Sequence, residues 1–284
     1  MKTGLVLEGG GVRGIYVAGV LDVFLEQGIS FDGVIGNSAG AIHGCSYLSG
    51  QKGRSIRYYK KYCGDPRFMS FRSWITTGDL VGVDFCYHEL PEKLDVYDND
   101  AFLRCGVPFY TVCTNVQTGK PEYMKITDMN RQIDCLRASA SLPYFSRMVE
   151  IGGKKYLDGG CSDSVPVRAF QEMGYAKNVL VLTQPADYRK KPELSALARI
   201  AYARYPAFSK ALRSRYVGYN QTADLIAELE KREEVFVIRP ERPLQIGRME
   251  KDPKNVERVY NIGSEDAQKH LNRLRSWMEK NAEK

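Results

Sequence analysis

The sequence predicts an α/β fold, and three features predict it. Leu5-Val6-Leu7 is a short apolar strand that runs through Glu8-Gly9-Gly10-Gly11-Val12-Arg13-Gly14 into a helical stretch at 15–25. Val34-Ile35 repeats the plan, passing through Gly36-Asn37-Ser38-Ala39-Gly40 into the helix-compatible Ala41-Ile42-His43. Further on, 107–114, 178–183 and 234–238 read as buried strands with helical patterns between them. Apolar strand, glycine turn and helix in that order are the parts of a βαβ unit.

The first glycine loop has two readings. As Gly9-x-Gly11-x-x-Gly14 it fits the dinucleotide-binding fingerprint, which makes a nucleotide-binding oxidoreductase one alternative. That fingerprint needs an acidic residue at the carboxyl end of the next strand, where this chain has Asn37-Ser38; Asp32 lies at the other end. Three successive glycines before a helix also gather backbone NH groups around one point, where the helix dipole adds positive potential. Such a nest suits an oxyanion as well as a pyrophosphate.

Ser38 stands where a nucleophile elbow places a reactive serine, at a sharp strand-to-helix turn flanked by Gly36 and Gly40. Small residues on both sides leave room for the turn while the hydroxyl projects from the sheet edge. A glycine-rich turn with an incidental serine fits the same pattern. Later, 152–160 reads as a hairpin or strand that delivers Asp158 to the turn Gly159-Gly160, where the absence of side chains lets another backbone come close. An aspartate that only caps its turn is the alternative there.

A serine needs a base, and there are three histidines. His43 lies five residues after Ser38 on the same helix and points away from its face. His88 has no motif around it, and His270 lies in a charged C-terminal helix. The order Ser38, Asp158, His270 would suit an α/β-hydrolase triad, but that fold sets several strands before its nucleophile, and 37 residues hold one βαβ unit at most. A Ser38–Asp158 dyad served by the glycine loop fits better.

The three motifs together, Gly9-Gly10-Gly11-Val12-Arg13-Gly14, Gly36-Asn37-Ser38-Ala39-Gly40 and Asp158-Gly159-Gly160, resemble the patatin-like phospholipases. The block Ala138-Ser139-Ala140-Ser141-Leu142-Pro143-Tyr144-Phe145 strengthens the likeness, which spans about residues 4–185. The resemblance implies a three-layer α/β/α fold with a mostly parallel central sheet. It implies Ser38 as nucleophile, Asp158 as base, and Gly9, Gly10, Gly11, Arg13 and Gly14 as the oxyanion-hole loop. Gly160 stands where many members carry alanine. A non-catalytic lipid-binding relative that keeps the motifs as scaffold is a further alternative.

In this chemistry Ser38 attacks an ester carbonyl, Asp158 takes its proton, and water hydrolyses the acyl-enzyme. A carboxylate is a weaker base than imidazole, so lipid or other carboxylic esters are expected rather than peptides. No cofactor or metal is expected. The seven cysteines have no Cys-x-x-Cys pair, which indicates neither a zinc site nor a disulfide framework.

With 43% hydrophobic and 26% charged residues the composition is that of an ordinary globular chain, and one domain over 1–284 is expected, with a basic helical extension at about 188–284. No run reaches the roughly 18 apolar residues of a membrane span, and the first residues lack a signal-peptide core, so a cytoplasmic protein is expected. The whole +7 excess lies in 188–284, with 21 basic against 14 acidic residues. There Tyr202, Tyr205, Phe208, Leu212, Tyr216 and Tyr219 form a stripe that reads first as a core-packing face and second as a contact with anionic lipid. Nucleic acid is not expected, for want of a recognisable binding motif. Residues 67–90 show no clean period and read as a packed loop or a flap over the site.

Overall fold

The computed structural model describes residues 1–192 and 195–282. Strand β1 (Thr3–Leu7) passes through a 3-10 turn (Gly11–Gly14) into α1 (Ile15–Glu26), and β2 (Gly33–Gly36) leads into α2 (Ala39–Leu48). Helices α3 (Arg54–Tyr62) and α4 (Phe71–Thr77), a π-helical stretch (Phe85–Leu94) and α5 (Asn99–Cys105) follow. Next come β3 (Phe109–Asn115), β4 (Pro121–Ile126), α6 (Met129–Ala140) and the hairpin of β5 (Val149–Ile151) and β6 (Lys154–Asp158). Then α7 (Val167–Glu172), β7 (Lys177–Val181), α8 (Ser195–Ala201), α9 (Pro206–Lys231), β8 (Val235–Ile238) and α10 (Pro253–Ala282).

Eight strands make one sheet, ordered β5-β6-β3-β2-β1-β7-β8 with β4 also on β3. The five from β3 to β8 run parallel; β4, β5 and β6 are antiparallel additions. Strand alternation sorts the side chains into two cores. Leu5, Leu7, Val34 and Val179 pack under α1, α2 and α10, while Val6, Ile35, Leu180 and Val237 pack with Phe170 of α7 and Ile226 of α9. Both faces are covered, which is the α/β/α layering expected, and explains why the parallel strands read as unbroken apolar runs.

Because β1 pairs with β2 on one side and β7 on the other, the chain reverses its direction of travel across the sheet at β1. A crevice opens at the carboxyl ends of strands at such a point. The glycine loop follows β1 there.

Pairing also explains how Asp158 reaches Ser38. Strand β2 takes only Phe109–Thr111 of β3, with Gly36 opposite Thr111. Strand β3 runs on and pairs Cys113 with Asp158 of β6. The aspartate is thereby set two residues farther along β3 than the end of β2, about 7 Å at the usual strand rise.

The C-terminal segment packs closely on the start of the chain. A Cβ on Gly19 of α1 would stand 2.1 Å from the Tyr260 carbonyl, and one on Gly263 of α10 would stand 2.1 Å from that of Tyr16. Only hydrogen fits at that crossing. Tyr16 donates to Asp266 at 2.7 Å and Tyr260 to Asp22 at 2.7 Å, locking it on both sides. The aromatic stripe is mostly core: Phe208 and Leu212 of α9 are fully buried with Leu157 and Cys161. Pro206 opens α9 and separates it from α8.

Candidate active site

The backbone at Ser38 is the first unusual feature. It adopts φ 53°, ψ −125°, a conformation that L residues rarely take, between β2 and α2. Strain of roughly 1–3 kcal/mol at such a residue persists only where its surroundings hold it. Here they do. The Asn37 amide donates to the Leu7 carbonyl at 3.1 Å, and the Ser38 amide donates to the Ser139 hydroxyl at 2.9 Å. Gly40 lies so near β1 that a Cβ would be 2.5 Å from the Leu7 carbonyl.

One polar cleft is lined by Gly9, Gly10, Gly11, Arg13, Ser38, Asp158 and Gly160. Gly9 lies hard against the serine: a Cβ there would stand 2.8 Å from the Ser38 Cβ. Among the described residues, the Gly9, Gly10 and Gly11 amides have no hydrogen-bond acceptor. The remaining motif glycines lie behind the cleft, where Gly14 abuts Ala39, Gly36 abuts Ala41, and Gly159 abuts the Val112 carbonyl.

Asp158 is buried, and its carboxylate accepts from the Gly160 amide at 2.7 Å. Burial pushes its pKa up from the usual carboxylate range; the Arg215 charge, the Gly160 amide, the Ser38 hydroxyl and the Lys190 charge all pull it back. Desolvation wins, so the carboxylate is a stronger base than one in water. The Asp158 amide donates to the Ser141 carbonyl at 2.8 Å, so the 138–145 block holds both Ser38 and Asp158.

Behind the glycine loop lies a network with no local sequence signal. Buried Glu8 accepts from the Thr183 amide at 2.6 Å and hydroxyl at 3.1 Å on one oxygen, and from the Tyr219 hydroxyl at 2.9 Å on the other. The same Thr183 hydroxyl lies 3.0 Å from the Gly9 carbonyl, an alternative acceptor for its one proton, and accepts from Arg13 Nε at 3.2 Å. Arg13 in turn packs against Gly10, where a Cβ would meet its guanidinium at 3.0 Å. Residues far apart in the chain thus fix the loop's path. Arg248, Lys190 and Arg215 also reach the cleft, and sequence reasoning had singled out none of them for the site.

Ser38 borders a second space as well. A mainly apolar cavity of about 540 Å³ shares Gly11, Ser38, Leu142 and Arg248 with the cleft and continues between Ile42, Tyr59, Phe68, Met69, Leu90 and Leu136. Residues 67–90 therefore do not lie loosely over the site. Their two ends, joined by a bridge between Met69 and Val81, form one wall of this cavity.

The histidines stand apart from the cleft. His43 is buried, its Nδ1 is 2.9 Å from the Ser55 hydroxyl, and burial with the nearby Arg54 charge lowers its pKa to about 3. His88 is exposed beside Glu92 and touches only the apolar cavity. His270 packs on Phe236. Among the described residues no group of three or more metal-ligating side chains comes together, and all seven cysteines are free thiols. No helix is long and apolar enough to cross a membrane.

The chain is similar to several known proteins. A second family model, a domain of unknown function (DUF6363), matches residues 205–279, the part that supplies Arg215, Tyr219 and Arg248. The protein YjjU of Escherichia coli K12 is 31% identical over 196 residues, 68% of this chain and 55% of YjjU. Lysophospholipase nte1 of Aspergillus oryzae is 30% identical over 61% of this chain, and lysophospholipase NTE1 of Saccharomyces cerevisiae is 29% identical over 67% of it. The match spans only 11% of either fungal protein. Among solved structures, VipD from Legionella pneumophila covers 95% of this chain and 67% of its own at 14% identity and a TM-score of 0.47. The model of the patatin-like phospholipases matches residues 5–170, from β1 through Ser38 and Asp158 to α7, and over more than half its length the chain belongs to that family.

Proposed function

We propose that this protein is a serine lipid acyl hydrolase working through a Ser38–Asp158 dyad. One observation carries the reading: Ser38 sits at the join between a polar cleft that contains Asp158 and the glycine loop and an apolar cavity of about 540 Å³. An ester carbonyl at Ser38 would have its acyl chain in the cavity and its polar part in the cleft. Asp158 takes the Ser38 proton as the hydroxyl attacks, and returns it to the departing alcohol oxygen. The amides of Gly10 and Gly11 stabilise the tetrahedral oxyanion, and a water then repeats the sequence on the acyl-enzyme. Residues 188–284 belong to the same folding unit in this reading, since α9 carries Tyr219 to Glu8 and α10 seals α1.

Labelling by a fluorophosphonate tests the assignment. The adduct should appear on the peptide that contains Ser38; an adduct elsewhere, or none, overturns it.

A second test separates hydrolase from dinucleotide binder. Gly11 has φ 59°, and a Cβ there would press on the Arg248 carbonyl at 3.2 Å. Gly11→Ala should therefore shift the loop and lower kcat for ester turnover by about 10²–10³, the usual cost of one oxyanion donor, with much less change in KM. Normal turnover in this variant, or NAD binding by the parent that it abolishes, would give the loop to a pyrophosphate.

A further inference from the structure

The segment between the Met69–Val81 bridge ends carries α4 away from the core and exposes its apolar residues. Phe71 is 57% exposed, Ile75 77% and Trp74 37%. Trp74 stacks obliquely on Phe145, also 37% exposed, with ring centres 5.8 Å apart, and on Phe71 at 6.5 Å. An exposed cluster of this kind is uncommon on a protein that meets only water.

The patch is tied to the site. Trp74 Nε1 donates to the Tyr144 carbonyl at 3.1 Å, and the Tyr144 amide donates to the Tyr202 hydroxyl at 2.8 Å. Tyr144 itself holds φ 70° and belongs to the block whose Ser139 and Ser141 support Ser38 and Asp158. Tyr202 follows α8, where Leu197 and Ile200 are again exposed, Ile200 by 78%. Two exposed apolar turns thus flank one strained residue, and the base of the first, Met69 and Val81, lines the apolar cavity.

Charge identifies the occupant. Residues 66–78 and 196–204 contain no acidic side chain. They carry exposed Arg72, Arg199 and Arg204, while exposed Arg147 lies over Gly78. None of these four arginines forms an ion pair among the described residues. Exposed aromatic and branched side chains in segments whose guanidinium groups form no ion pair among the described residues match an anionic lipid surface, which accepts the apolar groups below its headgroups and the cations at their level.

From this we infer that α4, Phe145 and α8 form the face by which the protein docks on anionic membranes, placing the cavity mouth against the lipid. The stripe on α9 is not that face, because Phe208 and Leu212 are buried. The purpose of docking rests on the lipid-hydrolase reading, but docking itself can be measured without turnover.

The probe is a vesicle of phosphatidylcholine, alone or mixed with phosphatidylglycerol, and the protein is the full chain with Ser38→Ala so that no lipid is consumed. A Trp277→Phe background leaves Trp74 as its only tryptophan, there being two in all. Flotation should recover the protein with mixed vesicles, and Trp74 emission should shift to the blue. Combined Phe71→Ser, Trp74→Ser and Ile75→Ser should weaken partition by about tenfold or more in flotation, as should high salt. With Ser38 restored, turnover of a water-soluble short-chain ester should be unaffected by Phe71→Ser with Ile75→Ser, which leaves the Trp74–Tyr144 hydrogen bond in place. If the triple variant unfolds, Ile75→Asp replaces it, since that side chain is mostly in solvent.

Equal partition of parent and variant, no partition of either, or a lipid-free dimer that the variant loses would overturn the inference, the last by giving the face to a second copy. Vesicle binding by a chain with no esterase activity would instead overturn the hydrolase reading and leave docking intact.

Discussion

Ser38→Ala should cut hydrolysis of any ester substrate by about 10⁴-fold or more, while the circular dichroism spectrum and melting temperature stay those of the parent. Removing the nucleophile of a dyad leaves only binding and oxyanion stabilisation, with no group to form the acyl-enzyme. The fold should tolerate it because alanine and serine meet the same backbone strain at φ 53°, and the support for that strain comes from the Ser38 amide on Ser139 rather than from the side chain. Activity within tenfold of the parent would remove Ser38 from the mechanism.

Asp158→Asn has the second largest expected effect, about 10²–10⁴ in kcat, the range for losing a positioned general base. Two readouts distinguish a base from a residue that only shapes the turn. In the parent, kcat/KM should fall on the acid side as Asp158 gains a proton. That limb should lie above the ordinary carboxylate range because burial raises the pKa, and it should vanish in the variant.

Stability should move the other way. With its folded pKa above the unfolded value of about 3.9, Asp158 stabilises the fold only while protonated. That contribution is complete below the unfolded pKa and is lost as pH rises through the folded value. At neutral pH the buried carboxylate is a burden, and Asn, which can still accept from the Gly160 amide, should melt no lower than the parent. The same loss of rate in His270→Gln would favour a triad, although His270 sits against Phe236 far from the cleft.

Much of the site can be read along the chain because its parts are local. A strand, a glycine loop and a helix are consecutive, so spacing marks Gly9–Gly14 and Gly36–Gly40 as candidates, and the glycines after it mark Asp158. Each has a second reading that spacing leaves open and that the likeness of all three motifs together to one family narrows. Glu8, Thr183 and Tyr219 do not. They meet across 175 and 211 residues, and each looks ordinary in its own segment. Ser139 was visible as part of a small-residue block, but its bond to the Ser38 amide depends on packing.

The 67–90 stretch resisted a periodic reading for a physical reason. Seven residues form a helix that shows its apolar side chains to solvent, and the stretch ends in π-helical turns, so neither half keeps a 3.6-residue rhythm.

The crossing of α1 and α10 has a consequence for how the chain is made. Ser264 bonds the Gly19 carbonyl across 245 residues, so this seam on α1 has no partner until α10 has left the ribosome. At typical synthesis rates that is a wait of about 12–50 s with a seam of apolar side chains unprotected. Closure of this seam joins residues far apart in the chain and is a high-contact-order event. A nascent chain stalled before residue 253 would leave that face of α1 without α10, although Thr183 and Tyr219, which fix the glycine loop, would already have been made.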